Sequence, residues 1–375
     1  MLRLCASGPL RSLLLIGAAG IVLAAGVWRG DAAATKLRPW KVAWLRENGG
    51  LSVWTSQRRQ TFLLTGTKKK GPGDYPAAWS PDGQDIAFSR ASSDGPGIYI
   101  VRVGHGAPRL LAETFTYASA EVAWSPDGRK IAYAVDCEDD FSSGRCVSGP
   151  TGTTALYTIE RDGSDRRQLV ALPAATTFEP QIRGLAWSRD GRRIAYVAND
   201  TFLYTIGSNG GVPRLVAAER NPDYTLGNPA WSPNGRWIAY GGHCYLPLLG
   251  GDIDCSLVAS SSRGTKRRVL LRSPGDTTVS PPTWTPDSRT VLYGTAGRPA
   301  LFRIDFATAR RRRIMRVFAT ALTVARDGRS FAFIPGPFGG TRPAVATLTG
   351  QIVARGPKIP YFSTGGELSA SLWVG

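Results

Sequence analysis

From Pro76 onward the chain repeats one pattern of apolar and polar positions. A short apolar run ends in Trp, a polar turn follows, and a second apolar run of the form Ile-Ala-Phe/Tyr begins soon after. The copies are PAAWSPDGQDIAFSR from Pro76, EVAWSPDGRKIAYAV from Glu121, GLAWSRDGRRIAYVA from Gly184, NPAWSPNGRWIAYGG from Asn228 and PPTWTPDSRTVLYGT from Pro281. A decayed sixth copy, ALTVARDGRSFAFIP, starts at Ala321. Trp79, Trp124, Trp187, Trp231 and Trp284 mark the repeat, with Val324 in the sixth copy, at steps of 45, 63, 44, 53 and 40 residues. In the turn, Pro presets φ, Asp or Asn caps the backbone and Gly takes the positive-φ position. The flanking runs have strand character.

A third apolar run follows each variable loop: GIYIVRV at 97, ALYTIE at 155, TFLYTIG at 201 and ALFRIDF at 300. After a polar turn such as Arg161-Asp162-Gly163-Ser164 comes a fourth, RRQLVAL from 166 or PRLVAA from 213. Four short strands in about 45 residues predict an all-β propeller of four-stranded antiparallel blades, not a solenoid of helices. The repeated Trp-Ser-Pro-Asp-Gly followed by Ile-Ala-Phe/Tyr resembles the TolB-type β-propeller repeat, over nearly all of the chain after residue 34. The resemblance implies that fold and, more loosely, a rigid scaffold whose loop faces bind a partner in the cell envelope. TolB has six blades in its propeller. Here seven are favoured and six is the alternative. Segments 41–47, 50–56 and 60–66 supply second to fourth strands, and the tail ELSASLWVG supplies a first strand, with Trp373 49 residues after Val324. N- and C-terminal strands would then share one blade, the tail docking beside Val42 and closing the ring. The repeat Trp residues and the turn Asp residues read as structural, the indoles filling the contact between blades.

Composition narrows the picture further. The net charge is +18, carried by 38 Arg and 8 Lys, and there are only two His. Two His leave little room for His-based catalysis. A basic chain suits an anionic polymer or a membrane surface as well as nucleic acid. The clusters Lys68-Lys69-Lys70, Lys266-Arg267-Arg268 and Arg310 to Arg313 are not interleaved with aromatic residues, which disfavours nucleic acid. Arg310 to Arg313 fall at a fourth strand, where charge guards an outer edge. Residues 1–34 read as a targeting element: Arg3 and Arg11 precede a charge-free run from Ser12 to Trp28. It is a signal peptide cut near Ala32-Ala33-Ala34, or an anchor spanning the membrane through residues 12–28. Either way residues 35–375 form a single propeller domain in an extracytoplasmic setting: secreted, periplasmic or membrane-anchored.

Without Cys5, four cysteines remain in two local pairs, Cys137 with Cys146 and Cys244 with Cys255. An even count in an exported chain reads as disulfides, and the local pairing is the simplest of three. A four-thiolate metal site would usually bring the thiols closer in sequence. The two longest repeat steps, 63 and 53 residues, come from insertions after IAYAV and IAYGG, and each insertion holds one cysteine pair. Two stapled loops should therefore rise from one face, on blades 2 and 4. Glu138, Asp139 and Asp140 in the first, and His243, Asp252 and Asp254 at the second, are the candidate binding residues. Their spacing matches no calcium loop, so no metal is assigned. No cofactor is expected. The other His, His105, is placed in the polar turn Gly104-His105-Gly106 of the opposite face. These features favour a non-catalytic scaffold for an envelope or extracellular protein. The alternative is a metal-dependent hydrolase or lactonase with its site in the central channel, where Glu121, Glu179 and Asn228 lie near first strands. There is no G-x-S-x-G and no length left for an α/β-hydrolase domain, and no catalytic residue is named.

Overall fold

A computed structural model describes residues 39–46, 49–66, 73–74, 78–90, 95–114, 121–135, 139–140, 145–146, 154–172, 180–221, 224–245, 254–272, 280–295, 299–336, 342–359 and 370–374. Every regular element among them is a strand. The chain opens with β1 (Trp40–Leu45), β2 (Leu51–Thr55) and β3 (Gln60–Leu63). Blade 1 is β4 (Ala78–Trp79), β5 (Asp85–Arg90), β6 (Gly97–Arg102) and β7 (His105–Glu113). Blade 2 is β8 (Glu121–Trp124), β9 (Lys130–Val135), β12 (Thr154–Glu160) and β13 (Arg167–Leu172), with a separate two-stranded hairpin, β10 (Asp139–Asp140) and β11 (Arg145–Cys146), between its second and third strands. Blade 3 is β14 (Ile182–Trp187), β15 (Arg193–Ala198), β16 (Phe202–Gly207) and β17 (Arg214–Ala218).

Blade 4 follows β18 (Tyr224–Thr225) and consists of β19 (Ala230–Trp231), β20 (Trp237–Tyr245), β21 (Asp254–Ser261) and β22 (Arg267–Leu271). Blade 5 is β23 (Thr283–Trp284), β24 (Thr290–Thr295), β25 (Ala300–Asp305) and β26 (Arg311–Met315). Blade 6 is β27 (Phe318–Val324), β28 (Ser330–Gly336), β29 (Ala344–Thr347) and β30 (Ile352–Arg355). The last strand, β31 (Ala370–Val374), pairs antiparallel with β1, so blade 7 has the order β3-β2-β1-β31. The tail docks beside Val42 as expected, but Leu372 and not Trp373 lies opposite it, one residue out of the repeat register in which Trp79 faces Ile86.

The first strands touch in sequence, β4 with β8, then β14, β19, β23, β27 and β31, and β31 touches β4 again. That closed circuit of antiparallel sheets is a seven-bladed β-propeller. The core lies between blades, because each twisted sheet buries both faces against its neighbours. Second-strand aromatics Phe88, Tyr133, Tyr196 and Tyr293 are fully buried. Each stacks on its cross-strand partner, Tyr99, Tyr157, Tyr204 and Phe302, at centroid distances of 5.7, 5.2, 5.6 and 5.4 Å. Such pairs hold strand register and add to the burial itself. Fourth strands are exposed, and Arg311 to Arg313 lie on β26 at the rim, as the sequence implied.

Because the strands alternate in direction, the turns from strand one to two and from three to four share one face, here the turn face. The loops from strand two to three and the connections between blades share the other, the loop face.

Candidate functional site

The turn face is built from one repeated device. In Ser80-Pro81-Asp82-Gly83 the Gly83 amide donates to Ser80 O at 2.8 Å, and Gly83 sits at φ 66°. The Ser80 hydroxyl donates to Asp82 Oδ1 at 2.5 Å and accepts the Asp85 amide at 2.9 Å. Ser125 with Asp127, Ser188 with Asp190, Ser232 with Asn234 and Thr285 with Asp287 repeat it at 2.6, 2.6, 2.8 and 2.6 Å. At Asp190 the Ser188 hydroxyl, against the opposing effect of burial, holds the carboxyl below the usual Asp value, helped by the Arg192 amide and by Arg193 and Arg192. At Asp82, Asp127 and Asp287 burial also works upward and is outweighed by the same hydroxyl and amide contacts and by nearby arginines. His105 opens β7 rather than sitting in the preceding turn, and is exposed.

The seams between blades are tied by the repeat Trp. The indole N–H of Trp124 donates to Ala78 O at 2.9 Å, Trp187 to Ala123 O at 3.1 Å, Trp231 to Ala186 O at 3.0 Å and Trp284 to Ala230 O at 3.0 Å. Each acceptor is the residue before the Trp of the preceding blade. The circuit changes at blades 6, 7 and 1. Val324 has no N–H to give. Trp373 of blade 7 turns away from blade 6 and donates forward to Pro81 O of blade 1, at 3.2 Å. Its ring lies on Gly83, where a Cβ would come within 2.4 Å. The reason is register: Leu372, opposite Val42, takes the place that Trp79 takes opposite Ile86, and Trp373, one residue further and opposite Lys41, faces the other neighbour, as successive strand residues do. Arg326 of blade 6 reaches across to the same Pro81 O at 2.7 Å. Lys41 donates to Gly83 O at 2.5 Å and stands 5.2 Å from the Trp373 ring centroid and 5.8 Å from that of Trp79. Burial there holds the Lys41 ammonium below the usual Lys range, with Asp82 pulling the other way.

A cleft of about 490 Å³ occupies this junction, lined by Trp79, Leu322, Val324, Arg326, Leu372 and Trp373 among others. Its walls suit an apolar group with an anionic end, and among the described residues no carboxylate or imidazole lines it. The sequence pattern marked both residues that shape it, Val324 as the missing Trp and Trp373 as the tail's, but the repeat position in blade 7 is held by Leu372 and Trp373 stands one residue beyond it.

The loop face carries both insertions, as the sequence implied. After β9 the hairpin β10–β11 pairs Asp139 with Cys146 and Asp140 with Arg145. In blade 4, β20 and β21 run past the ordinary blade edge, and β18 pairs with the extension, Tyr224 with Tyr245 and Thr225 with Cys244. Tyr245 lies opposite Asp254, which puts Cys244 and Cys255 at adjoining positions of the two strands. Glu138, Asp252 and Cys137 lie outside the described residues, as do the side chains of Asp139, Asp140, His243, Asp254, Cys146, Cys244 and Cys255. Near the channel, the Glu121 carboxylate accepts the Leu185 amide of blade 3 at 3.1 Å and Asp200 pairs with Arg183 at 2.5 Å. Glu179 lies outside the described residues. Among the described residues no helix is long and apolar enough to cross a membrane, and no group of three or more His, Cys, Asp or Glu is gathered to hold a metal ion.

No protein-family model matches the chain, and no curated protein matches it. Solved structures do. TolB from Acinetobacter baumannii is 12% identical with a TM-score of 0.50, over 89% of this chain and 82% of that one. An oligogalacturonate lyase in complex with manganese is 13% identical with a TM-score of 0.56, over 89% and 88%. A functionally unknown protein from Desulfotomaculum acetoxidans is 12% identical with a TM-score of 0.54, over 89% and 98%. The TolB-type resemblance is thus borne out as a fold: the chain is a TolB-like seven-bladed β-propeller. At these identities the likeness carries the fold and not an activity.

Proposed function

We propose that the chain is a non-catalytic scaffold, exported or membrane-anchored, that binds an envelope or extracellular protein through its loop face. The observation that supports this most is the blade 4 arm. There β20 and β21 extend beyond the sheet and β18 is recruited to back them, on the same face as the β10–β11 hairpin. Extended loops on a rigid scaffold are the usual carriers of binding function. Glu138, Asp139, Asp140, His243, Asp252 and Asp254 belong to these two arms, and disulfides Cys137–Cys146 and Cys244–Cys255 would hold them. The adjoining positions of Cys244 and Cys255 favour the second bridge.

The test is capture from envelope extract by the full chain and by a chain lacking 137–146 and 244–255. The scaffold reading expects the captured partner to be lost with the arms while the β-sheet circular dichroism spectrum is kept. Undiminished capture removes the loop face from the account. The rival reading is a metal-dependent propeller enzyme, and the manganese-bound lyase is its motive. Metal analysis after dialysis separates the two: a retained stoichiometric metal moves the assignment to the enzyme.

A further inference from the structure

The turn face carries an arginine at the same place in five blades: Arg129, Arg192, Arg236, Arg289 and Arg329. Each gives its backbone amide to the turn Asp or Asn, at 3.1, 3.1, 3.0, 3.0 and 3.0 Å, so the turn itself fixes where the side chain starts. All five are exposed. Among the described residues none of the five guanidinium groups makes a hydrogen bond or an ion pair. In four of these turns the neighbouring Asp or Asn, itself exposed, accepts from its Ser or Thr hydroxyl and stays in the turn without bonding the guanidinium. The three-to-four turns add exposed Arg263 and Arg310 on the same face. The loop face differs: its two insertions carry Glu138, Asp139, Asp140, Asp252 and Asp254. The turn face also carries exposed Asp82, Asp127, Asp162, Asp190, Asp287 and Asp327, so its basic character comes from the arginines and lysines in excess of these.

The same face holds the start of β1. Second strands start at the turn face, and β1 is a second strand; Lys41 near its start bonds Gly83 O in the blade 1 turn. Only residues 29–39 separate β1 from the charge-free run Ser12–Trp28.

We propose that the turn face docks on an anionic lipid surface, its arginines sharing the headgroup phosphates. Short turns repeated around a ring make a broad, shallow surface, which suits a planar array of headgroups. Guanidinium groups suit phosphate oxygens. The absence of interleaved aromatics argues against a nucleic acid. This proposal does not rest on the loop-face scaffold, and either can fail alone.

The experiment measures partitioning of the full chain onto phosphatidylcholine vesicles with and without phosphatidylglycerol. Insertion of the N-terminal run is common to both, so the difference reads the charged face. Each cation near an anionic surface is worth roughly five-fold in binding. Allowing for screening, we expect at least a ten-fold preference for the anionic vesicles, collapsing as salt is raised. The joint variant Arg129→Gln, Arg192→Gln, Arg236→Gln, Arg289→Gln and Arg329→Gln loses that preference. The same five changed to Lys keep it, which separates loss of charge from loss of fold. Equal partitioning onto both vesicles, or a Gln variant that keeps the preference, overturns the proposal. So does wild-type protein that ignores phosphatidylglycerol but binds inorganic polyphosphate, which makes a soluble polyanion the partner.

Discussion

Blades 1 to 5 meet at seams of one kind, and the junction of blades 6, 7 and 1 is of another. In the first kind an indole points backward and bonds the carbonyl before the previous Trp. In the second the indole points forward, an arginine and a lysine share the work, and a cleft is left. The difference teaches that a strand brought from the other end of the chain can enter its blade one residue out of the repeat register and so turn its indole to the opposite neighbour. Leu372 holds the place of the repeat Trp, while Trp373 and Arg326 both reach Pro81 O of blade 1.

The largest test of this contrast removes β31. Deleting residues 370–375 uncovers Val42 and takes away buried Leu372 and Val374 with the whole β1–β31 register. Two fully buried aliphatic residues alone are worth about 3–6 kcal/mol. The urea midpoint should fall far below wild type, and a midpoint within error of wild type would show that the ring does not depend on its latch. Next in size is a matched pair. Trp284→Ala opens a regular seam at a buried indole and should cost about 3–5 kcal/mol. Trp373→Ala removes a half-exposed ring beside an existing cleft and should cost roughly half as much. Equal losses in urea titrations would mean that the two seams carry the same load.

A smaller effect separates the junctions at the level of one methyl group. Gly83 and Gly191 hold the same turn position, at φ 66° and 69°. A Cβ at Gly191 meets nothing within 4 Å, and one at Gly83 meets the Trp373 ring at 2.4 Å. Gly191→Ala should cost about 1–2 kcal/mol, the left-handed backbone penalty alone. Gly83→Ala adds displacement of the indole, for a total of about 2–4 kcal/mol. The Trp373 share of the fluorescence, taken as the difference from the same protein carrying Trp373→Phe, makes a second readout, expected to shift in Gly83→Ala and not in Gly191→Ala.

The repeat made much of this legible. The turn residues state their own φ requirements, so Pro-Asp-Gly and its variants placed the one-to-two turns of blades 1 to 6, and the tail's Trp373 placed β31 beside β1, one residue out of register. The insertions after IAYAV and IAYGG placed both arms on one face. What stayed hidden depends on neighbours in space. A repeat motif defines a residue within its blade, and says nothing about the register in which a strand from the other chain end enters. The forward turn of Trp373 follows from that one-residue offset. The pairing of β18 with the end of β20 was hidden for a similar reason: two residues, Tyr224 and Thr225, have no periodicity of their own to read. Arginine at the same turn position in five blades was visible in the sequence, but its meaning as one face of a disc needed the ring.

The smallest effect uses a control that the protein already contains. Asn234 holds the blade 4 turn with the same bonds, 2.8 Å from the Ser232 hydroxyl and 3.0 Å from the Arg236 amide, that Asp makes elsewhere. Asn does not titrate. Asp82, Asp127, Asp190 and Asp287 have folded values below the usual Asp value. The unfolded chain therefore binds protons first as pH falls. Their contribution is fully present above the ordinary Asp value near 4 and is lost as pH drops through the folded values. Because these groups are exposed, screening keeps the combined contribution to about 1 kcal/mol or less. Changing all four to Asn should leave the urea midpoint at neutral pH nearly unchanged and reduce its fall on acidification to about pH 3. The change should act on the regular turns 2, 3 and 5 and on the junction turn of blade 1 alike. If Asp82→Asn alone reproduces the whole effect, the acid response belongs to the junction, where Lys41 and Arg161 face that carboxylate, and the turns are less alike than their bonds suggest.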